Sequence, residues 1–212
     1  MDVLDDQKRY YAARAPEYDD WWYKRGRYEV EPEVLARWHA DIAEVDAALA
    51  KFAPSGSVLE LAAGTGLWTR KLVRIADRVV AVDANREPLA LNTDEAELVV
   101  ADVFAWEPAE AFDVVFFGFW LSHVPEERFA DFWRTVRSAL APGGRVFLVD
   151  SGPRETEPGD DRQVRQLADG REFRIVKKFW RPAELAERVR PIGFELDVRL
   201  TANGNFLYGF GS

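Results

Sequence analysis

Three carboxylates stand in or just after short apolar runs, and that placement is the first chemical signal in the chain. Glu60 lies in Val58-Leu59-Glu60-Leu61, Asp83 closes Val79-Val80-Ala81-Val82, and Asp102 follows Leu98-Val99-Val100-Ala101. An ionised carboxylate only accepts hydrogen bonds, and it takes paired hydroxyl donors of the kind a ribose offers in charge-assisted bonds. Directly after Leu61 come the small residues Ala62, Ala63, Gly64 and Gly66. Residues with little or no side chain let backbone approach a ligand closely, and Leu67 to Ile75, read as a helix, would aim its N-terminus at that ligand. Carboxylates at strand ends beside such a turn describe a nucleotide-type pocket.

Glycine-rich strand-to-helix turns serve several nucleotides, so the departures from each pattern decide between them. The dinucleotide fingerprint Gly-x-Gly-x-x-Gly/Ala fails, because reading from Gly64 its third place is Thr69. The phosphate loop fails as well, since Leu67-Trp68 stand where it needs Lys-Ser/Thr. What remains, Glu60-x-Ala62-x-Gly64-x-Gly66, resembles the first motif of the class I S-adenosylmethionine-dependent methyltransferases, with Ala62 where that family more often has glycine. The similarity of motif and order runs from about 57 to 150. It implies S-adenosyl-L-methionine as cofactor, with Asp83 on the ribose, Asp102 on the adenine amino group and the Val103 N–H on a ring nitrogen. The wider cofactor set that it implies is Glu60, Ala62, Gly64, Gly66, Thr69, Ala84, and Gly118 and Phe119 after the fourth strand.

Gly118-Phe119-Trp120-Leu121-Ser122-His123-Val124-Pro125 is the second focus. The resemblance makes the backbone here face the methionine end of the cofactor, with side chains just beyond it lining the acceptor site. Trp120 is then a candidate acceptor wall and His123 a candidate general base, its ordinary pKa near ~6.5 being suited to that work. The other reading of His123 is a histidine that hydrogen-bonds its own loop and shapes the turn before Pro125. Upstream, 10–28 is crowded with Tyr10, Tyr11, Tyr18, Trp21, Trp22, Tyr23 and Tyr28 among charged residues. Rings with a polar tip suit either an amphipathic helix on the domain edge or a lid over a ligand. The resemblance favours the lid, with Tyr11 and Arg14 on the cofactor and Tyr18 and Trp22 on the acceptor. Asp113, at the start of the fourth strand, reads as structural, and His39 as a surface histidine.

The elements that position these residues follow from the hydrophobic pattern. The apolar run from Phe112 to Phe117 supplies a fourth strand, and Pro142-Gly143-Gly144 a turn into a fifth through Val149. Helical spacing marks 33–52, the stretch after Pro125 with a stop at Pro142-Gly143-Gly144, and 182–190. Asn203-Gly204 between two alternating runs predicts a closing hairpin. The segment 151–181 reads as a mobile insertion or cap after the fifth strand, with a short helix near 164–167 and an extra strand or cap element at 173–180. The expected fold is α/β: a Rossmann-like, doubly wound, mostly parallel seven-stranded sheet with a C-terminal antiparallel hairpin and helices on both faces. One domain spans 1–212, with an aromatic-rich N-terminal lid at 1–31.

Composition narrows the partners. The chain has 212 residues, 48% of them hydrophobic, and a formal net charge of −9. Such acidity disfavours nucleic acid and an anionic membrane surface, both of which select Lys and Arg clusters. Zero cysteines exclude disulfides and thiolate metal sites. No metal is expected, because no convincing carboxylate cluster follows the fifth strand. A cytoplasmic location, a monomer or homodimer, and a small-molecule methyl acceptor are the working expectations. The activity expected from the resemblance is methyl transfer to an oxygen or nitrogen of a small, aromatic or heteroaromatic metabolite. The alternatives are an NAD(P)-dependent oxidoreductase and a catalytically silent S-adenosylmethionine-binding module.

Overall fold

The computed structural model describes residues 2–153 and 161–212. The chain opens with helices α1 (Val3–Trp22) and α2 (Pro32–Phe52). It then alternates through β1 (Ser57–Leu61), α3 (Thr69–Leu72), β2 (Arg78–Asp83), α4 (Arg86–Leu89), β3 (Glu97–Val100), β4 (Phe112–Gly118), α5 (Phe129–Ala139) and β5 (Leu140–Ser151). A hairpin of β6 (Arg162–Gln166) and β7 (Glu172–Val176) precedes α6 (Pro182–Val189), β8 (Leu196–Leu200) and β9 (Phe206–Gly211). The large sheet has the order β3-β2-β1-β4-β5-β9-β8, all strands running the same way except β9, which is antiparallel to both β5 and β8, and β6-β7 form a sheet of their own.

Side-chain alternation divides the core between the two faces of that sheet. Leu59 and Leu61 of β1, Val115 and Phe117 of β4, and Val146 and Leu148 of β5 pack under α5 and α6, where Phe132, Trp133 and Leu185 meet them. Val58, Phe116, Phe147 and Val149 face the other way, against Trp38, Val45 and Leu49 of α2 and Trp22 of α1. Strands buried on both faces need continuous apolar runs, which is how β1, β4 and β5 read. β1 lies between β2 and β4, so the strand order reverses there, and an open α/β sheet has its crevice at that switch point.

Four local readings change. Only Thr69–Leu72 of the helix expected over 67–75 is α-helical. The i→i−4 bonds there are interrupted by i→i−3 bonds such as Lys71 N–H to Trp68 O, which tighten the turns. The short helix expected near 164–167 is strand β6, paired residue for residue with β7. Its period is two: Gln163 and Arg165 turn partly inward while Arg162 and Val164 are exposed. The helix after Pro125 begins with a 3-10 turn at Glu126–Arg128, and α5 ends at Ala139 before the expected Pro-Gly-Gly stop. Leu140 is already extended and pairs with Phe112, and the register then shifts so that Val114 pairs with Arg145, the extra residues lying on β5. As for the cap, 154–160 lies outside the described residues, whereas β7 docks on α1 through Phe173 and Ile175 against Tyr10.

Candidate functional site

Two cavities share a wall at the carboxyl ends of the parallel strands. The first is lined by Ala62, Gly64 and Thr65 after β1, Asp83, Ala84 and Asn85 after β2, and Asp102, Val103 and Phe104 after β3. Gly118, Phe119 and Trp120 after β4 close its floor, and Leu4, Gln7, Lys8, Tyr11, Ala15 and Tyr18 of α1 form its roof. Counted together with its open mouth, the space measures about 780 Å³.

Asp83 accepts the Gly64 N–H at 2.9 Å on one oxygen and the Asn85 N–H at 2.8 Å on the other. Burial pushes its carboxyl up to about 6 against these backbone donors, and each oxygen keeps a lone pair for a ligand hydroxyl. Asp102 pairs with Lys8 of α1 at 2.7 Å and accepts the Phe104 N–H at 3.0 Å. Burial raises the Asp102 carboxyl, but Lys8 and the Phe104 N–H outweigh it and hold the group below its ordinary value. Ala62 and Gly64 both adopt left-handed backbone, with φ of +56° and +58°. A Cβ on Gly64 would meet nothing within 4 Å, so the space beside this glycine belongs to the cavity. Gly66 has a different role: a Cβ there would come within 2.5 Å of the Asn92 side chain, which packs under the turn.

Glu60, expected on the cofactor, is placed beneath the turn. It is 1% exposed and accepts the Thr69 hydroxyl, which in turn accepts from Asn92 at 2.8 Å. Its position in β1 shares the parity of Val58, so its side chain enters the layer below the loop rather than the crevice. Burial pushes Glu60 up to about 8. Thr69 and Gly66 likewise support the turn without lining the cavity. Trp22 is core: it packs on Trp38 and Trp68, and Trp21 instead faces the second cavity. Trp120, read as an acceptor wall, lines the first cavity beside Phe104, and Arg14 lines the second.

Tyr11, Tyr18, Phe119 and His123 belong to both cavities and form the wall between them. Phe119 reaches it from strained backbone with φ +54°, its N–H held by Val149 O at 2.8 Å. Beyond this wall lie Arg14, Trp21, Tyr28, Ser151, Arg165, Ile175, Lys177 and Phe179. His123 is 4% exposed, with Nδ1 at 2.6 Å from Val176 O and Nε2 at 2.7 Å from the Tyr11 hydroxyl. A carbonyl oxygen only accepts, so Nδ1 carries the proton and Nε2 accepts from Tyr11. Burial and the nearby Lys177, Arg14 and Arg165 hold His123 neutral, well below its ordinary pKa. Gln7 binds the same unit together, donating to His123 O at 3.1 Å and accepting the Val176 N–H at 3.0 Å. His39 is exposed, and Asp113 accepts from the N–H and hydroxyl of Ser57 at the opposite end of the sheet.

The residues present fit S-adenosylmethionine. Asp83 is placed to accept hydroxyl donors, Asp102 and Val103 line the same cavity after β3, and open space adjoins Gly64. The family described as "Methyltransferase domain" matches residues 32–198. The chain belongs to the class I S-adenosylmethionine-dependent methyltransferases. This methyltransferase is similar along its whole length to the protein of a DhpI-SAM-HEP complex, with 39% identity, a TM-score of 0.83, and coverage of 99% of this chain and 97% of that one. It is similarly close to a DhpI-SAH complex, with 40% identity, a TM-score of 0.81, and coverage of 99% and 96%. A Streptomyces sp relative named cypemycin N-terminal methyltransferase is 35% identical over 118 residues, 51% of this chain and 48% of that protein. The match thus spans about half of that curated relative. S-adenosylmethionine is the methyltransferase's cofactor, as its solved relatives in complex with SAM and SAH bear out. No helix among the described residues is long and apolar enough to cross a membrane.

Sequence reasoning missed Lys8, Asn85 and Phe104 in the first cavity, and Trp21, Tyr28, Arg165 and Lys177 in the second. The α1 members had a signal: Leu4, Lys8, Tyr11, Ala15 and Tyr18 recur at intervals of four and three, a single helical face. Arg165 and Lys177 had none, because a long-range hairpin brings them in.

Proposed function

We propose that this methyltransferase methylates an oxygen or nitrogen of a small molecule bound in the second cavity, with α1 acting as lid and the β6–β7 hairpin as cap. The observation that carries the reading is the shared wall: Tyr11, Tyr18, Phe119 and His123 border both the cofactor cavity and its neighbour, so an acceptor held there adjoins the methionine end of the cofactor. S-adenosylmethionine supplies an electrophilic methyl group on sulfonium sulfur. Holding a nucleophile in line about 3–3.5 Å from such a carbon contributes ~7–11 kcal/mol, more than one side chain offers. Positioning is therefore the principal task of these residues. The rings of Trp21, Tyr28 and Phe179 suit a flat acceptor. The name of the Streptomyces relative supports nitrogen as one acceptor atom.

His123 fits an orienting role. Its Nδ1 proton is committed to Val176 O, and its Nε2 fixes the Tyr11 hydroxyl at the wall. Placing a second proton on this buried ring is opposed by burial and by three neighbouring cations, so it is a weak base. The test has two parts. Calorimetric titration with S-adenosylhomocysteine is expected to give binding, and mass spectrometry of small acceptors incubated with S-adenosylmethionine and protein is expected to find a methylated product. Tyr11→Phe is expected to leave S-adenosylhomocysteine affinity within about threefold and to lower turnover by roughly tenfold or more. Binding without turnover on any acceptor would favour a silent module, and no binding heat would overturn the reading.

A further inference from the structure

The second cavity is positively charged in an acidic molecule. The chain carries a formal charge of −9, yet the charged side chains lining this cavity among the described residues are Arg14, Arg165 and Lys177. Lys177 is balanced in part, its ammonium 3.5 Å from Asp150 and hydrogen-bonded to the hydroxyls of Ser122 and Ser151. The two arginines are not. Among the described residues no carboxylate stands within ion-pair distance of either.

Arg14 is held in place by rings, with its Cζ 5.1 Å from the centre of Tyr18, 5.7 Å from Trp21 and 5.9 Å from Tyr28. Its Nε is shielded from water and has no hydrogen-bond partner. Arg165 donates to Gln163 on its own strand, which orients the guanidinium without neutralising it. Guanidinium groups lining one cavity repel one another, and an oxyanion relieves the repulsion while matching their fork geometry. Their field reaches the shared wall, where Arg14 and Arg165 help to hold His123 neutral. Neither arginine lines the cofactor cavity, so their charge is directed to what sits beyond it.

We propose that the acceptor carries an anionic group, a carboxylate or a phosphoryl group, and that Arg14 and Arg165 bind it in the second cavity, so placing the rest of the acceptor against Tyr11 and His123. The proposal rests on the methyl-transfer reading above and names its substrate class. It makes Arg14 and Arg165 the residues that select charged acceptors over neutral ones of equal shape.

The test titrates benzoate, phenyl phosphate and neutral benzamide into protein saturated with S-adenosylhomocysteine, by calorimetry at fixed ionic strength. At least one anion is expected to bind roughly tenfold or more tightly than benzamide, and the better of the two identifies carboxylate or phosphoryl as the group. Arg14→Gln and Arg165→Gln are each expected to weaken that anion about tenfold, with S-adenosylhomocysteine affinity held within about twofold. Should Arg14→Gln lose its ring contacts and fail to fold, Arg165→Gln, on the hairpin strand, carries the test. Benzamide binding as well as the anions, or neither anion binding to the loaded protein, would overturn the proposal. So would an Arg14→Gln that weakens S-adenosylhomocysteine and spares the anions. Failure of the unaltered protein to bind S-adenosylhomocysteine would instead overturn the methyl-transfer reading beneath it.

Discussion

Asp83 ends β2 with its carboxyl pushed up to about 6, so mild acid removes its charge in the folded protein. A folded-state value above the unfolded one, for an acid, means that the folded chain holds the proton more tightly. The group's contribution to stability is therefore greatest below the unfolded value, near 3.8, and declines as pH rises through about 6. The Asp83–ribose pairing that we propose runs the opposite way, because hydroxyls donate to the ionised form. S-adenosylhomocysteine affinity, followed calorimetrically across acid to neutral pH, is expected to fall by up to about tenfold per pH unit below ~6. Asp83→Asn is expected to flatten that dependence and weaken binding roughly 10–100-fold at neutral pH. Two glycines of the following turn separate fold from ligand. Gly64→Ala places a methyl in open cavity at φ +58°, costing about 1–2 kcal/mol of backbone strain and a larger share of cofactor affinity. Gly66→Ala drives its Cβ into buried Asn92, so a fall in Tm of several degrees is expected to be its main effect. Thermal melts and S-adenosylhomocysteine titrations of the two variants, side by side, check the split.

At the scale of elements, legibility tracked how local the cause was. β1, β2, β4 and β5 were visible because strands buried on both faces must be apolar throughout, and α2 because one face meets the sheet. Asn203-Gly204 announced the β8–β9 hairpin, yet its loop is held by Asp41 of α2. That buried carboxylate accepts from Thr201, Asn203 and Asn205, and one acidic residue within an amphipathic helix gives no sign of such a contact. β6 was misread because Val164 and Leu167 stand three apart, as in a helix, while the partner that makes the segment a strand lies on β7. The same contrast holds in the site. Asp83, Ala84, Asp102, Val103 and Gly118 come together in the lining of the first cavity because strand ends converge on one crevice by topology. Glu60 was misplaced because strand parity, decided by the packing of β1, turned it under the loop. The cationic cavity draws Arg14 from α1, Arg165 from β6 and Lys177 from just after β7, a set with no shared local pattern.

Across the whole molecule, α1 and the β6–β7 hairpin form one roof over both cavities. α1 turns Lys8, Tyr11 and Tyr18 to the cofactor side, while Tyr10 packs on Phe173, Asp6 accepts the Arg174 N–H at 2.7 Å, and Gln7 accepts the Val176 N–H. The roof is tied to the sheet below by polar links, Lys8 to Asp102, Tyr11 to His123 and Thr65 to Asp19, rather than by a deep apolar seam. Its outer end is the exception, for Trp22 is buried with Trp38 and Phe206. A nucleoside-sized ligand must pass beneath this roof, and links of that kind are the ones that open at small cost in local free energy. Hydrogen exchange with and without S-adenosylhomocysteine is therefore expected to show amides of 3–18 and 162–176 slowing together on binding. Amides of β1, β4 and β5, already protected by burial on both faces, are expected to change little. Protection confined to the turns after β1, β2 and β3, with α1 and the hairpin unaltered, would show that the roof is fixed and that the cofactor enters by another route.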